Sequence, residues 1–332
     1  MINILLIGSV PPPIGGVTIH IDRFFNLFKE NNRFELSVLD IKKKALFLKD
    51  SQIKSLLGIL IYFLKTKIVH IHISNDTVKL FFALLSKLML KKVIYTHHNS
   101  LVKNRFVFKL MYKICDKVIL VNDKEISKDL IIEKKTEVIP AFLPPYKFED
   151  LPQVLEKEIK AFDTIVSTNC YLYNLIHGKH VYGFDLIIEA FYNLSKSKKI
   201  ENTLLILVDP SNTTGEFVSE LLKDKEFCTN RVLHITQKID FVSLVKKSNI
   251  TIRATRTDGD SLSIRESLYF NVPIIASDVT ARPEGTVIFK SDDSVDLENK
   301  ILKVLENKQE LEYEDINYGQ KVLDLYGEVL GE

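Results

Sequence analysis

Short runs of β-branched and aliphatic residues recur along the chain with longer stretches of helical spacing between them, and this alternation constrains the fold more than any other feature. Strand, helix and strand in succession build a parallel sheet with helices on its faces. Runs such as Val118-Ile119-Leu120-Val121 carry no polar alternation, as strands buried on both faces require. The fold class is therefore α/β. A first series places strands at Asn3–Gly8, Phe34–Asp40, Ile68–Ile73, Lys92–Thr96, Lys117–Val121 and Glu137–Ile139, with helices at Val17–Lys29, Thr77–Leu90 and Arg105–Ile114. Pro140, Pro144-Pro145 and the charged stretch Glu149–Lys160 then read as a linker. A second series follows, with strands at Thr164–Ser167, Thr203–Val208, Val232–Ile235, Ile250–Ile252 and Val272–Ala276. Its helices are Phe184–Ser195, Glu216–Lys223, Phe241–Lys246, Ser261–Phe270 and Val295–Asn307, with a last one at Gln320–Leu330. At 332 residues the chain suits two domains. We expect Rossmann-like domains over residues 1–150 and 151–332, the last helix being free to pack back on the first, and ligands held in a cleft.

Charge and cysteine content exclude several classes. With 45 basic and 43 acidic residues the net charge is only +2, which gives no global case for binding nucleic acid. Cys115, Cys170 and Cys228 are too scattered for a disulfide framework or a zinc pattern, so a cytoplasmic location is expected. The apolar start Met1–Gly8 is too short for a signal segment, and Leu56–Leu64 falls short of the roughly 20 residues needed to span a bilayer.

Three constellations can carry chemistry. Pro11-Pro12-Pro13-Ile14-Gly15-Gly16-Val17 lies at the carboxyl end of the first strand, where parallel sheets bind ligands. Gly15 and Gly16 would let a ligand approach the backbone at a helix N-terminus, or would serve only a tight turn. His97-His98 follows the fourth strand, where an imidazole can supply a hydrogen bond or a proton, or can be structural. His70 and His72 alternate on one strand face without a neighbouring carboxylate or cysteine, and no metal is expected there. The richest is Arg253–Glu266, with Arg253, Arg256, Asp258, Asp260 and Arg265 around Ser261, the expected N-cap of a helix that opens with Leu262 and carries Glu266. Free N–H groups and guanidinium groups there suit a diphosphate, the alternative being a capped helix with surface ion pairs.

In order and spacing these residues resemble glycosyltransferase family 4, a retaining family of GT-B fold, over nearly the whole chain. Gly15-Gly16, His98 and the pair Asp258 and Glu266 stand where the family has a glycine loop, a histidine and a Glu-x7-Glu motif. Val138-Ile139-Pro140 and Asn271–Asp278 match neighbouring family segments. The resemblance implies a nucleotide-sugar donor such as a UDP- or GDP-sugar, with Glu266 on the ribose, Asp258 on the donor sugar, Gly16 beside the diphosphate, and His98, or His97 one register away, at the reacting centre. It also implies transfer to a hydroxyl with retention, without metal or other cofactor. The first acid is Asp rather than Glu, Ser261 replaces a common glycine, and Tyr182-Gly183 stands where a basic residue precedes the glycine. Arg256 and Arg265, together with Arg282, are the expected substitutes for that missing lysine.

The resemblance points to a lipid-linked or oligosaccharide acceptor of bacterial surface polysaccharide (O-antigen or capsule) assembly. Lys42-Lys43-Lys44 with Leu46–Lys65, and Lys103–Lys117, are basic apolar stretches that can lie peripherally on the cytoplasmic membrane face or pack on the sheet. The rivals are a nucleotide-sugar-binding module without catalysis and an epimerase of the same fold. A NAD-dependent oxidoreductase lacks its GxGxxG turn here.

Overall fold

A computed structural model of the chain describes residues 1–12, 15–99, 101–124, 126–225, 230–306 and 316–332. Pro13, Ile14, Cys228 and Asn307, which entered the expectations above, lie outside the described residues. The chain divides into two compact units, Met1–Tyr146 with Ile316–Glu332, and Lys147–Asp315, against an expected boundary at 150.

The first unit is built on the strands β1 (Ile2–Gly8), β2 (Phe34–Asp40), β3 (Ala45–Phe47), β4 (Gln52–Ile53), β5 (Ile68–Ile71), β6 (Lys92–His97), β7 (Lys117–Leu120) and β8 (Thr136–Val138). They are ordered β4-β3-β2-β1-β5-β6-β7-β8. From β2 to β8 all pairings are parallel, whereas β3 and β4 run antiparallel at one edge. The chain leaves β1 toward β2 on one side and returns to β5 on the other, which puts a topological switch point at the carboxyl ends of β1 and β5. Alternation of side chains explains the apolar runs. Leu5 and Ile7 join a core with helices α2 (Leu56–Lys65), α3 (Asp76–Leu88) and α4 (Arg105–Ile114), while Ile4 and Leu6 face the opposite core. That opposite core receives α1 (Gly16–Phe28) and the last helix of the chain, Tyr318–Leu330, through Val322, Leu323, Leu325, Tyr326 and Val329.

In the second unit β9 (Thr164–Asn169), β12 (Thr203–Val208), β13 (Val232–Ile235), β14 (Ile250–Arg253), β15 (Ile274–Ser277) and β16 (Val287–Phe289) form one parallel sheet in the order β13-β12-β9-β14-β15-β16. Its switch point lies at the carboxyl ends of β9 and β14. A two-residue antiparallel pair, β10 (Leu175–Ile176) and β11 (Lys179–His180), interrupts the connection from β9. The helices are α5 (Gln153–Lys160), α6 (Phe184–Lys196), α7 (Gly215–Leu222), α8 (Phe241–Val245), α9 (Leu262–Tyr269) and α10 (Ser294–Glu306), and Tyr318–Leu330 becomes α11. The charged stretch read as linker therefore contains α5. Leu155 and Ile159, four residues apart on one helical face, bury against Ile165, Leu204 and Ile206 and outweigh the charged remainder. No helix among the described residues is long and apolar enough to cross a membrane.

Candidate functional site

The residues of richest chemistry in the second unit sit at its switch point. Arg253 ends β14, and the following loop turns Asp258 back toward it. Arg253 donates from Nε and Nη2 to Asp258 Oδ2 and Oδ1 at 3.1 and 3.0 Å. Arg282 donates from Nη1 to the same Oδ2 at 2.8 Å, with the Thr255 hydroxyl at 3.1 Å and the Gly259 N–H on Oδ1 at 3.1 Å. These five donors fill the acceptor capacity of the carboxylate. Burial opposes the charge of Asp258, but Arg253 and then Arg282 outweigh it and hold its pKa near about 2. Two guanidinium groups against one carboxylate leave this cluster net positive. Arg282, at 2% side-chain exposure, is further fixed by bonds to Ser277 O at 2.9 Å and to the Ser277 hydroxyl at 3.2 Å.

The other two arginines are differently placed. Arg256 forms a bidentate pair with Asp185 at 2.8 and 2.9 Å, meets Asp292 at 2.6 Å and donates to His180 O. Arg265 pairs with Asp260 at 2.7 Å, and the other oxygen of Asp260 is buried without a hydrogen-bond partner. Burial pushes the Asp260 carboxyl up despite that arginine. Arg256 and Arg265, expected as substitutes for a lysine before Gly183, are thus each held by carboxylates. It is Arg253 whose guanidinium lies over the Tyr182 ring, 5.2 Å from its centre, while Arg256 sits between two carboxylates.

Gly183 is required where it stands. Its φ is +68°, and a Cβ there would come within 2.1 Å of Ala254 O, so the start of α6 lies directly against the end of β14. Ser261 is the N-cap of α9 in backbone geometry, φ −75° and ψ 121°, yet its hydroxyl meets Ser263 Oγ at 3.0 Å and does not cap the helix. Leu262 opens α9 half-buried, and Glu266 lies buried one turn on.

In the first unit neither Gly15 nor Gly16 has positive φ. A Cβ on Gly16 would meet nothing within 4 Å and one on Gly15 only the Thr18 hydroxyl at 3.9 Å. Neither backbone strain nor packing demands glycine at these two positions. His97 and His98 point to opposite faces of the sheet. His97 is buried against Phe108 and bonded to the Tyr95 hydroxyl at 3.0 Å, a core position. His98 lies on the other side with His20 of α1 and His72, its Nε2 3.0 Å from His72 Nδ1. Burial holds His20 near about 4 and keeps His72 and His98 well below the ordinary histidine range, so all three rings are neutral at pH 7. His70 is satisfied on both nitrogens, by the Tyr326 and Thr96 hydroxyls at 2.7 Å each.

The structure brings together Arg253, Asp258 and Arg282 in one cluster and Asp260 with Arg265 in another, and it assigns Arg256 to a third. Convergence of Arg282 on Asp258 and the grouping of His20 and His72 with His98 escape sequence reasoning. Arg282 is 24 residues from its partner, and only the pairing of β5 with β6 puts His72 and His98 side by side.

Solved structures share this architecture at low identity. A glycosyltransferase from Rickettsia africae ESF-5 matches with TM-score 0.70 and 17% identity over 99% of this chain and 98% of that one. Anabaena Alr3699/HepE in complex with UDP-glucose gives TM-score 0.68 and 12% identity over 99% and 100%. The lipopolysaccharide outer core galactosyltransferase WaaB gives 0.65 and 13% over 98% and 100%. Likeness at this identity concerns the fold, which is GT-B with two Rossmann-like units. No curated protein matches the chain. The family model described as glycosyl transferases group 1 matches residues 156–322, half of the chain, from α5 into α11 and through every residue of the Arg253–Glu266 cluster. This chain belongs to the group 1 glycosyl transferases.

Proposed function

We propose that the chain transfers a sugar from a nucleotide-sugar donor to an acceptor hydroxyl, with the donor diphosphate held by Arg253, Arg282 and the N-terminus of α9. The carrying observation is the net positive Arg253–Asp258–Arg282 cluster at the carboxyl end of β14, next to a helix start whose N-cap side chain is bonded elsewhere. Asp258 spends all its acceptor capacity on the two arginines and two further donors, so its role in this reading is to orient the guanidinium groups. Glu266, buried on α9, takes the ribose hydroxyls, as the family 4 resemblance implies. The bond from the anomeric carbon to the diphosphate oxygen breaks as the acceptor oxygen attacks, and the departing negative charge is stabilised by the fixed guanidinium groups. Retention and a lipid-linked surface-glycan acceptor follow from the same resemblance. The UDP-glucose complex of HepE supports a uridine nucleotide donor, and WaaB, a galactosyltransferase of lipopolysaccharide, supports a cell-surface glycan product.

A peripheral place on the cytoplasmic membrane face is part of this reading. Its support is α2, which leaves Leu56, Leu57, Leu60, Ile61 and Leu64 exposed between the exposed Lys54 and Lys65.

Titration with UDP by calorimetry tests the donor assignment. Arg282→Ala is expected to weaken UDP binding by roughly 10–100-fold, the worth of a charge-assisted contact of about 1.5–3 kcal/mol. Arg256→Ala, in a residue already held by Asp185 and Asp292, is expected to change it by less than about threefold. Equal effects of the two substitutions, with both variants folded by circular dichroism, would contradict the assignment.

A further inference from the structure

We infer that His20, His72 and His98 form a binding site for a divalent transition-metal cation of the zinc class. Three elements of the first unit, α1 and the segments after β5 and β6, each contribute one imidazole, and the ligand nitrogens of the three rings lie within 4.8 Å of one another. Ring centres are 5.2–5.4 Å apart across the set. Only one of the three pairs is joined by a hydrogen bond, His72 Nδ1 to His98 Nε2 at 3.0 Å. His72 Nε2 is buried with no hydrogen-bond partner, as are His97 Nε2 and His180 Nε2, but of these three rings it is His72 that packs against further imidazoles.

The surroundings orient these rings as those of metal ligands are oriented. His20 donates from Nδ1 to Ala141 O at 2.7 Å, which fixes the tautomer and leaves the lone pair on Nε2. Metal-binding histidines are held by such a bond to a backbone carbonyl. His70, saturated by Tyr326 and Thr96, packs 4.1 Å from the His72 ring and limits its rotation. Nitrogens about 2.1 Å from a tetrahedral ion lie roughly 3.4 Å apart, so small side-chain rotations close the present spacing. An all-imidazole set suits Zn²⁺, Co²⁺, Ni²⁺ or Cu²⁺ and disfavours Mg²⁺ and Ca²⁺, which take oxygen. A bound ion would take a lone pair of His98 and oppose the role given to that residue at a reacting centre. This consequence rests on the place that the family 4 resemblance gives His98, whereas binding of the ion does not.

The test uses the untagged, metal-stripped full chain titrated with Co²⁺. We expect one equivalent to give the intense visible absorption of low-coordinate cobalt, displaced by Zn²⁺ and unaffected by excess Mg²⁺. His20→Gln and His72→Gln should each weaken Co²⁺ binding by at least about tenfold, while His234→Gln, at the edge strand of the second unit, leaves it unchanged. Absence of a saturable cobalt band in the wild type overturns the site. So does equal affinity in the wild type and both cluster variants, which can be read from whichever variant retains wild-type circular dichroism.

Discussion

Gly183 and the pair Gly15-Gly16 all stand at helix starts, yet only at Gly183 does the structure demand glycine. At Gly183 both the positive φ and the Ala254 carbonyl exclude a side chain, so Gly183→Ala is expected to cost more than about 2 kcal/mol in chemical denaturation. Gly16→Ala meets open space at a helix start and should change stability by less than about 0.5 kcal/mol, while lowering donor turnover by roughly 10–100-fold. A Gly16→Ala enzyme of unaltered turnover would remove the ligand role of that loop. The sequence carried both glycines, but φ and the neighbouring carbonyl that separate them are tertiary facts. The same limit applies to the acids and arginines. Their crowding beside a buried strand was legible, whereas the choice of partner was not. Asp258 selects Arg253 and Arg282, and Arg256 is drawn to Asp185 in the first turn of α6 and to Asp292 from another loop. His97 and His98 were indistinguishable as neighbours until strand alternation sent them to opposite faces.

At the scale of elements, the long central strands and amphipathic helices were readable because apolar periodicity persists over several residues. The pairs β3–β4 and β10–β11 and the short β16 were not, since two or three residues carry little period, and of the three-residue strands only β8 was expected, at Glu137–Ile139. In α5 only two of eight residues reach the core, and a charge count concealed the helix. The segment containing α2 was left open between packing and membrane contact, and the structure packs one face of it and leaves the other exposed. Phe63 is buried and Ile59 and Tyr62 pack on the sheet, while the leucines of the other face remain exposed. An apolar row beside lysines predicts co-sedimentation with anionic vesicles above that with neutral ones. Replacing Leu57, Leu60 and Leu64 together by Ser should abolish the difference and leave thermal unfolding nearly unchanged, because these side chains are already exposed. Equal sedimentation of the wild type with both vesicle types would rule out the contact.

For the whole molecule, each unit repeats one solution: a parallel sheet with its chemistry-bearing loops at a topological switch point. Residues 316–332 belong to the first unit, since α11 buries Leu323, Leu325 and Tyr326 in the core that it shares with α1 and its Tyr326 hydroxyl bonds to His70. Each such side chain contributes roughly 1.5–3 kcal/mol, so the first unit depends on residues at both ends of the sequence. Function is carried by a site and not by a fold, and the family assignment leaves the donor, acceptor and stereochemistry to experiment. The most direct measurement is nucleotide release from a panel of UDP- and GDP-sugars, with and without membrane lipid extract, comparing the wild type with Glu266→Ala. Release by the wild type that requires the extract and is lost in Glu266→Ala is the predicted result. Specific donor binding without release under any of these conditions would contradict sugar transfer and identify a module that binds the donor without catalysis.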